Sequence, residues 1–104
     1  ILVKHQVEVT EWAIWGYPEF LSMLICATDG SSENAQENLT EAVDQVLHLS
    51  QDMGGAMEYC HGVGVKLAHL IPSELKVGLE VVRAMKRAID PSNIMNPGKL
   101  GLSG

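Results

Sequence analysis

The 104 residues contain two cysteines, one phenylalanine and seven basic side chains, and each scarcity excludes a class of protein. Cys26 sits in an apolar, strand-like run and Cys60 in a glycine-rich loop. Two thiols in such different settings do not make the disulfide framework of a small secreted domain, so a reduced, cytoplasmic protein is expected. Seven Lys and Arg against 13 Asp and Glu leave a net charge of −6. That is the wrong sign for a phosphate backbone, and no nucleic-acid partner is expected. No run approaches the roughly 18–20 apolar residues of a membrane span. The chain opens Ile1-Leu2-Val3-Lys4 with neither an initiator Met nor a leader signature, which reads as a piece cut from a longer polypeptide.

What is present suffices for one small folded domain: 46% hydrophobic and 19% charged residues. Val7 to Trp15 alternates and is rich in β-branched and aromatic residues, as a half-buried strand is. Strict alternation puts Val7, Val9, Glu11, Ala13 and Trp15 on one face and Glu8, Thr10, Trp12 and Ile14 on the other. Gly16-Tyr17-Pro18-Glu19 is turn chemistry, and Phe20 to Thr28 is a short apolar run, so the two strands form an antiparallel hairpin with its aromatics in the core.

Ser31 and Ser32 are N-cap candidates for a helix whose apolar stripe is Ala35, Leu39, Ala42, Val43, Val46, Leu49 and Met53. Its C′ residue is Gly54. The row Asp44, His48, Asp52 on that helix reads as a solvated face rather than a metal site. Val65 to Ile71 is an apolar piece ending at Pro72. A second helix, capped by Ser73, runs to about Ile89 with Leu75, Leu79, Val82, Met85 and Ile89 buried, and with Lys76, Arg83, Lys86 and Arg87 mostly outside the stripe. Asp90-Pro91 stops it, and residues 93–99 form an ordered turn. The fold class is therefore α+β, antiparallel strands packed with two amphipathic helices.

Between the helices lies the chemically richest stretch, Gly54-Gly55-Ala56-Met57-Glu58-Tyr59-Cys60-His61-Gly62-Val63-Gly64-Val65-Lys66. Its glycines allow left-handed backbone or close approach to a ligand, and they frame a histidine. Chemically useful side chains are thus presented on a tight backbone, although the commoner role of such a loop is a plain turn.

The order of the glycine pair, His61-Gly62-Val63-Gly64, Pro72-Ser73-Glu74-Leu75, an amphipathic helix and Asp90-Pro91-Ser92-Asn93-Ile94-Met95-Asn96-Pro97-Gly98-Lys99 resembles the C-terminal end of FAD-linked oxidases of the vanillyl-alcohol oxidase superfamily. Glycolate oxidase flavoprotein subunits, D-lactate dehydrogenases and alkyldihydroxyacetone-phosphate synthases are among its members. The resemblance runs from Gly54 to about Leu102. It implies that residues 1–104 are the C-terminal fragment of a substrate, or cap, domain with a ferredoxin-like arrangement, that residues 90–104 return toward the flavin, and that an upstream FAD-binding domain is the partner. It further implies that His61 faces the flavin where a hydroxyl-bearing substrate, a 2-hydroxyacid or another alcohol, is oxidised. Gly62 and Gly64 would admit the cofactor, and Asn96 and Lys99 would lie beside its ring. Two departures bear on metal chemistry. Cys60 stands where hydroxyacid dehydrogenases of the family carry a ligating Glu, and Gly16-Tyr17-Pro18-Glu19-Phe20 stands near the place of their His-x-x-Asp-Gly-Asn-x-His motif. These departures weaken the metal-dependent 2-hydroxyacid reading and favour a metal-free member acting on another alcohol, or one resembling the alkyl-phosphate synthases or aryl-alcohol oxidases; no metal is expected, and Cys60 is taken as a packing residue. FAD is the expected cofactor of the whole protein, and the fragment alone is expected to be inactive. The rival reading is a small non-enzymatic binding module. The open strand edge of its hairpin would let it pair with a partner or a second copy as a homodimer.

Overall fold

The computed structural model describes residues 1–16, 19–58 and 61–102. It has two units, Ile1–Leu47 and His48–Gly104, and its antiparallel strand pair followed by helices is an α+β fold.

In the first unit β1 (Val7–Ile14) pairs antiparallel with β2 (Leu21–Ala27), as the alternation predicts. Tyr17 and Pro18 of the expected turn lie outside the described residues; beyond the strands, the Trp15 N–H donates to the Phe20 carbonyl at 3.1 Å. The two faces differ from those of strict alternation. Val9 pairs with Ile25, but Glu11 pairs with Leu24, so Thr10 is an extra residue in a β-bulge. Paired residues share a face, and the bulge therefore moves everything after it to the opposite side. One face becomes Val7, Val9, Trp12 and Ile14 with Ala27, Ile25, Met23 and Leu21, apolar throughout. The other carries Glu8, Glu11 and Ala13 with Cys26, Leu24 and Ser22. The Thr10 hydroxyl donates to the Leu24 carbonyl at 3.1 Å.

Only Val7 of the apolar face is buried; Trp12 is 67% exposed, and Trp15 beyond the strand is 63% exposed. The expectation that these aromatics are core is thus corrected. A two-stranded ribbon buries apolar surface only where another element covers it. Cys26 and Glu8 share the opposite face, and the thiol donates to Glu8 Oε1 at 3.7 Å. Burial and then the Glu8 carboxylate push the Cys26 thiol up, which keeps it protonated.

Helix α1 (Ala35–Asp52) begins a few residues after the expected caps. Asp29 accepts from the Ser31 amide at 3.0 Å and the Ser31 hydroxyl at 2.6 Å, and these bonds lower its pKa. Ser31 is thereby committed to the turn, while Ser32 accepts from the Asn34 amide through its hydroxyl and from the Ala35 amide through its carbonyl. The helix end follows the sequence closely. The Gly54 N–H donates to the Gln51 carbonyl at 3.0 Å and the Gly55 N–H to the Ser50 carbonyl at 2.8 Å, the paired bonds of a Schellman cap. Gly54 supplies φ +84, and a Cβ on Gly55 would stand 2.8 Å from the Ser50 hydroxyl. The glycine pair is a helix stop: one residue for conformation, the next for space. Of the predicted stripe only Ala42 is fully buried, and Met53 is 79% exposed.

In the second unit Met57, Leu70, Ile71, Leu79 and Leu102 form the core. The single helix expected from Ser73 to Ile89 is two, α2 (Ile71–Leu75) and α3 (Gly78–Ile89), with a 3-10 turn at Ala68–Leu70 before them. Pro72 lies in the first turn of α2, where a missing N–H costs nothing, so Ser73 is inside the helix rather than its cap. Lys76, at φ 49 and ψ −124, breaks the helical path, and Val77 and Gly78 beyond it have low helix propensity. The break abolishes the continuous stripe. Leu79 is buried and Leu75 and Val82 are half-buried, but Met85 is 56% and Ile89 70% exposed.

Candidate functional site

The glycine loop and the C-terminal turn are built differently, and both depend on left-handed backbone. In the loop Met57 is buried as its anchor, and Gly62 (φ +76) and Gly64 (φ +57) reverse the chain. Among the described residues, and apart from their chain neighbours, nothing lies within 4 Å of where a Cβ on either glycine would stand, so backbone is open to approach there. The His61 side chain is 86% exposed. The backbone N–H of His61 donates to Glu58 Oε1 at 3.1 Å, and the imidazole Nδ1 lies 3.6 Å from the same oxygen. Glu58, 23% exposed, was not singled out by the sequence reading; its position three residues before the histidine was the available signal. A carboxylate beside Nδ1 favours the tautomer protonated there, whose basic nitrogen is Nε2. Cys60 lies outside the described residues.

The C-terminal turn is organised by Asp90. This side chain is only 5% exposed, and it accepts from the Ile94 amide at 3.0 Å, from the Met95 amide at 2.9 Å and from the Lys86 ammonium. Lys86, 14% exposed, also donates to the Met95 carbonyl at 2.6 Å, which corrects its assignment to the outside of the helix. The hydrogen bond from Lys86 outweighs the desolvation of Asp90 and, with the two amides, holds its carboxyl below the usual carboxylate range. A lowered folded pKa means that this stabilisation is complete above the ordinary carboxylate value and is lost only as pH falls through the lowered one. The spacing of Lys86 four residues before Asp90 was the missed signal.

Beyond Asp90 the turn carries Asn93 (φ 51), Asn96 (φ 49), Gly98 (φ 77), Leu100 (φ 56) and Gly101 (φ 64). Asn and Gly are the residues that tolerate this region, so the Asn-x-x-Asn-Pro-Gly spacing first of all satisfies the backbone. The turn is tied to the glycine loop by the Leu100 N–H, which donates to the Gly64 carbonyl at 3.1 Å. Gly101 packs against the 3-10 turn, where an added Cβ would stand 3.2 Å from the Ala68 carbonyl. Gly101→Ala should therefore destabilise the chain by about 1–2 kcal/mol, read as a lower urea midpoint, whereas Gly30→Ala, with normal φ and open space, should be near neutral.

These segments line a cavity of about 420 Å³. Gly64, Asn96 and Lys99 converge there, with Lys86 at one side and Met95, Leu100 and Leu102 as apolar wall. Three of the five residues predicted to form a site thus share one cavity. His61 and Gly62 lie in the same loop as Gly64 but do not line it. Among the described residues no three His, Cys, Asp or Glu side chains converge as metal ligands, and no helix is long and apolar enough to cross a membrane.

Comparison with known proteins gives a consistent result. A family model described as FAD linked oxidases, C-terminal domain, matches residues 19–100. The glycolate oxidase subunit GlcD of Bacillus subtilis is 34% identical over 76 residues, covering 72% of this chain and 16% of the relative. The mitochondrial D-lactate dehydrogenase [cytochrome] of Arabidopsis thaliana is 33% identical over 73 residues, covering 69% of this chain and 13% of the relative. A D-lactate dehydrogenase of Archaeoglobus fulgidus is 32% identical over 72 residues, 65% of this chain and 15% of the relative. The chain therefore spans about a sixth or less of the length of these relatives. No solved structure matches it.

Proposed function

The chain belongs to the FAD-linked oxidases, matched over their C-terminal domain, and on that premise we propose that it is the part of a longer FAD-dependent oxidoreductase that completes the substrate side of the flavin. The observation that carries this reading is the hydrogen bond from the Leu100 amide to the Gly64 carbonyl, which brings the glycine loop and the Asn96–Lys99 turn to one cavity. The residues fit a flavin edge. Gly62 and Gly64 leave backbone open, Met95, Leu100 and Leu102 offer an apolar wall, and Asn96 and Lys99 offer polar groups at its side.

Asn96 and Lys99 would hold the cofactor, which when bound supplies the hydride acceptor. His61 would take the proton of the substrate hydroxyl at Nε2, with the Glu58 carboxylate steadying the ring from Nδ1. Its high exposure suits a group that faces a ligand and an upstream FAD-binding domain rather than the interior of this chain. The substrate class is a 2-hydroxyacid. Glycolate and D-lactate, after which the matched relatives are named, both belong to that class, which favours it over other alcohols. A cytoplasmic location completes the reading, in keeping with a free Cys26.

The test compares two lengths. The isolated chain mixed with FAD and a 2-hydroxyacid should neither retain flavin nor turn over. The polypeptide at its native length should carry flavin and bleach on addition of substrate without oxygen. A colourless native polypeptide, or turnover by the isolated chain, would overturn the proposal.

A further inference from the structure

The Lys86–Asp90 pair is not part of any cofactor or proton-transfer role assigned above, yet it joins α3 to the C-terminal turn through buried, multiply bonded side chains. Asp90 closes two amides of the turn, and Lys86 reaches from α3 to the carboxylate and to the Met95 carbonyl at once. Both peptide groups flanking Met95 are thereby fixed: its own N–H by Asp90, its own C=O by Lys86. Asn96 follows immediately, and the Lys99 backbone N–H donates to the Asn96 carbonyl at 3.3 Å. Leu100 then makes the bond to Gly64 at 3.1 Å. A chain of contacts thus runs from α3 through the ion pair to the polar groups of the cavity wall.

We propose that Lys86 and Asp90 are positioning residues: as one unit they set the turn that presents Asn96 and Lys99 in register with Gly64. The free groups at the end of α3 are carbonyls, which a carboxylate cannot satisfy, so the Asp90 side chain has no capping partner in its own helix. Asp90 instead meets amides four and five residues beyond itself, on the segment that lines the cavity. The ammonium has a matching arrangement, since it serves the carboxylate and the cavity-lining Met95 together. The consequence for the reaction rests on the flavin-facing reading of the cavity; the consequence for the turn does not.

The test uses the polypeptide at native length, loaded with FAD, with Lys86→Met, Asp90→Asn and the double variant. Amide hydrogen exchange by mass spectrometry is read on peptides covering residues 93–101 and, separately, on α3. Exchange in 93–101 should accelerate at least about tenfold in each single variant while α3 keeps its protection. The double variant should lose little more than either single one, because the two side chains act as a unit. With 2-hydroxyacid substrate, kcat should fall on the order of 10–100-fold with KM changed much less, as expected when groups are misplaced rather than removed. Unchanged exchange in 93–101, or strictly additive effects in the double variant, would overturn the positioning role. Accelerated exchange with unaltered kcat would leave that role standing and overturn the flavin-facing reading of Asn96 and Lys99 instead. Should Lys86→Met not fold, Asp90→Asn, whose single oxygen keeps an acceptor for only one of the two amides, supplies the exchange and kcat comparison.

Discussion

On the proposed reading, replacing His61 with alanine in the native-length polypeptide should lower kcat on the order of 10²–10⁴-fold while flavin content and the visible spectrum hold. Hydride cannot leave the carbinol carbon readily unless the hydroxyl proton is taken, and a positioned imidazole takes it at neutral pH. The structure adds an orienting partner: Glu58 Oε1 accepts the backbone N–H of His61 at 3.1 Å and lies 3.6 Å from Nδ1. Glu58→Gln should therefore cost less than His61→Ala, because the amide oxygen keeps an acceptor for the backbone N–H of His61 and the imidazole itself remains. Flavin retention separates the roles, since His61 does not line the cavity formed by Gly64, Asn96 and Lys99. If His61→Ala turns over within a few-fold of the unmodified protein, the general-base assignment falls, whatever the flavin does. If the protein is a binding module, the same variant should leave partner binding untouched and there should be no turnover to lose.

The parts of the fold legible in the sequence were those governed by local chemistry. The two strands, the stop at Gly54 and the stop at Asp90 each follow from residues within a turn of the feature they control. What escaped was set by pairing or by a distant partner. Nothing local marks Thr10 as an extra residue; the bulge exists because Val9 and Glu11 pair with consecutive residues of β2. Its consequence is large, because it converts two mixed faces into one apolar and one partly polar face. The break at Lys76 was likewise hidden, since periodicity continues through it from Leu75 to Leu79 and a positive φ at lysine has no sequence signature.

The candidate site shows the same division. The run Asp-Pro-Ser-Asn-Ile-Met-Asn-Pro-Gly-Lys was conspicuous as a motif, but its physical content emerged only with the backbone. Asn93, Asn96 and Gly98 occupy left-handed positions, so a turn alone requires residues of those types there. Asn96 consequently has a conformational reason to be asparagine beside any contact with a cofactor. Lys86 was hidden because a lysine on an amphipathic helix ordinarily faces water, and only the return of Asp90 and Met95 to it reveals otherwise.

Leu70→Ala should produce the largest loss of stability of any single core truncation, about 2–5 kcal/mol, with a control that separates periodicity from structure. Leu70 is fully buried, at 0% exposure, in the 3-10 turn between the glycine loop and α2. Its carbonyl accepts from Gln51 Nε2 at 3.1 Å, and the same amide nitrogen reaches Glu74 Oε2 at 2.7 Å. The side chain therefore cannot withdraw without disturbing a backbone position held on its polar side, so the cavity left by truncation closes poorly and the cost lies toward the upper end. The control is Ile89→Ala. Helical spacing assigns Ile89 to the buried stripe, whereas the structure leaves it 70% exposed, so its truncation should cost no more than about 0.5 kcal/mol. Urea unfolding of both variants decides between the two pictures: equal losses would restore the continuous helix and its stripe. The effect should also reach the candidate site. Gly101 rests 3.2 Å, at its would-be Cβ, from the Ala68 carbonyl of the same 3-10 turn, so loosening that turn removes the surface against which the cavity-bearing segment stands. Leu70→Ala should therefore raise exchange in residues 99–102 along with that of the 3-10 turn, whereas Ile89→Ala should raise neither.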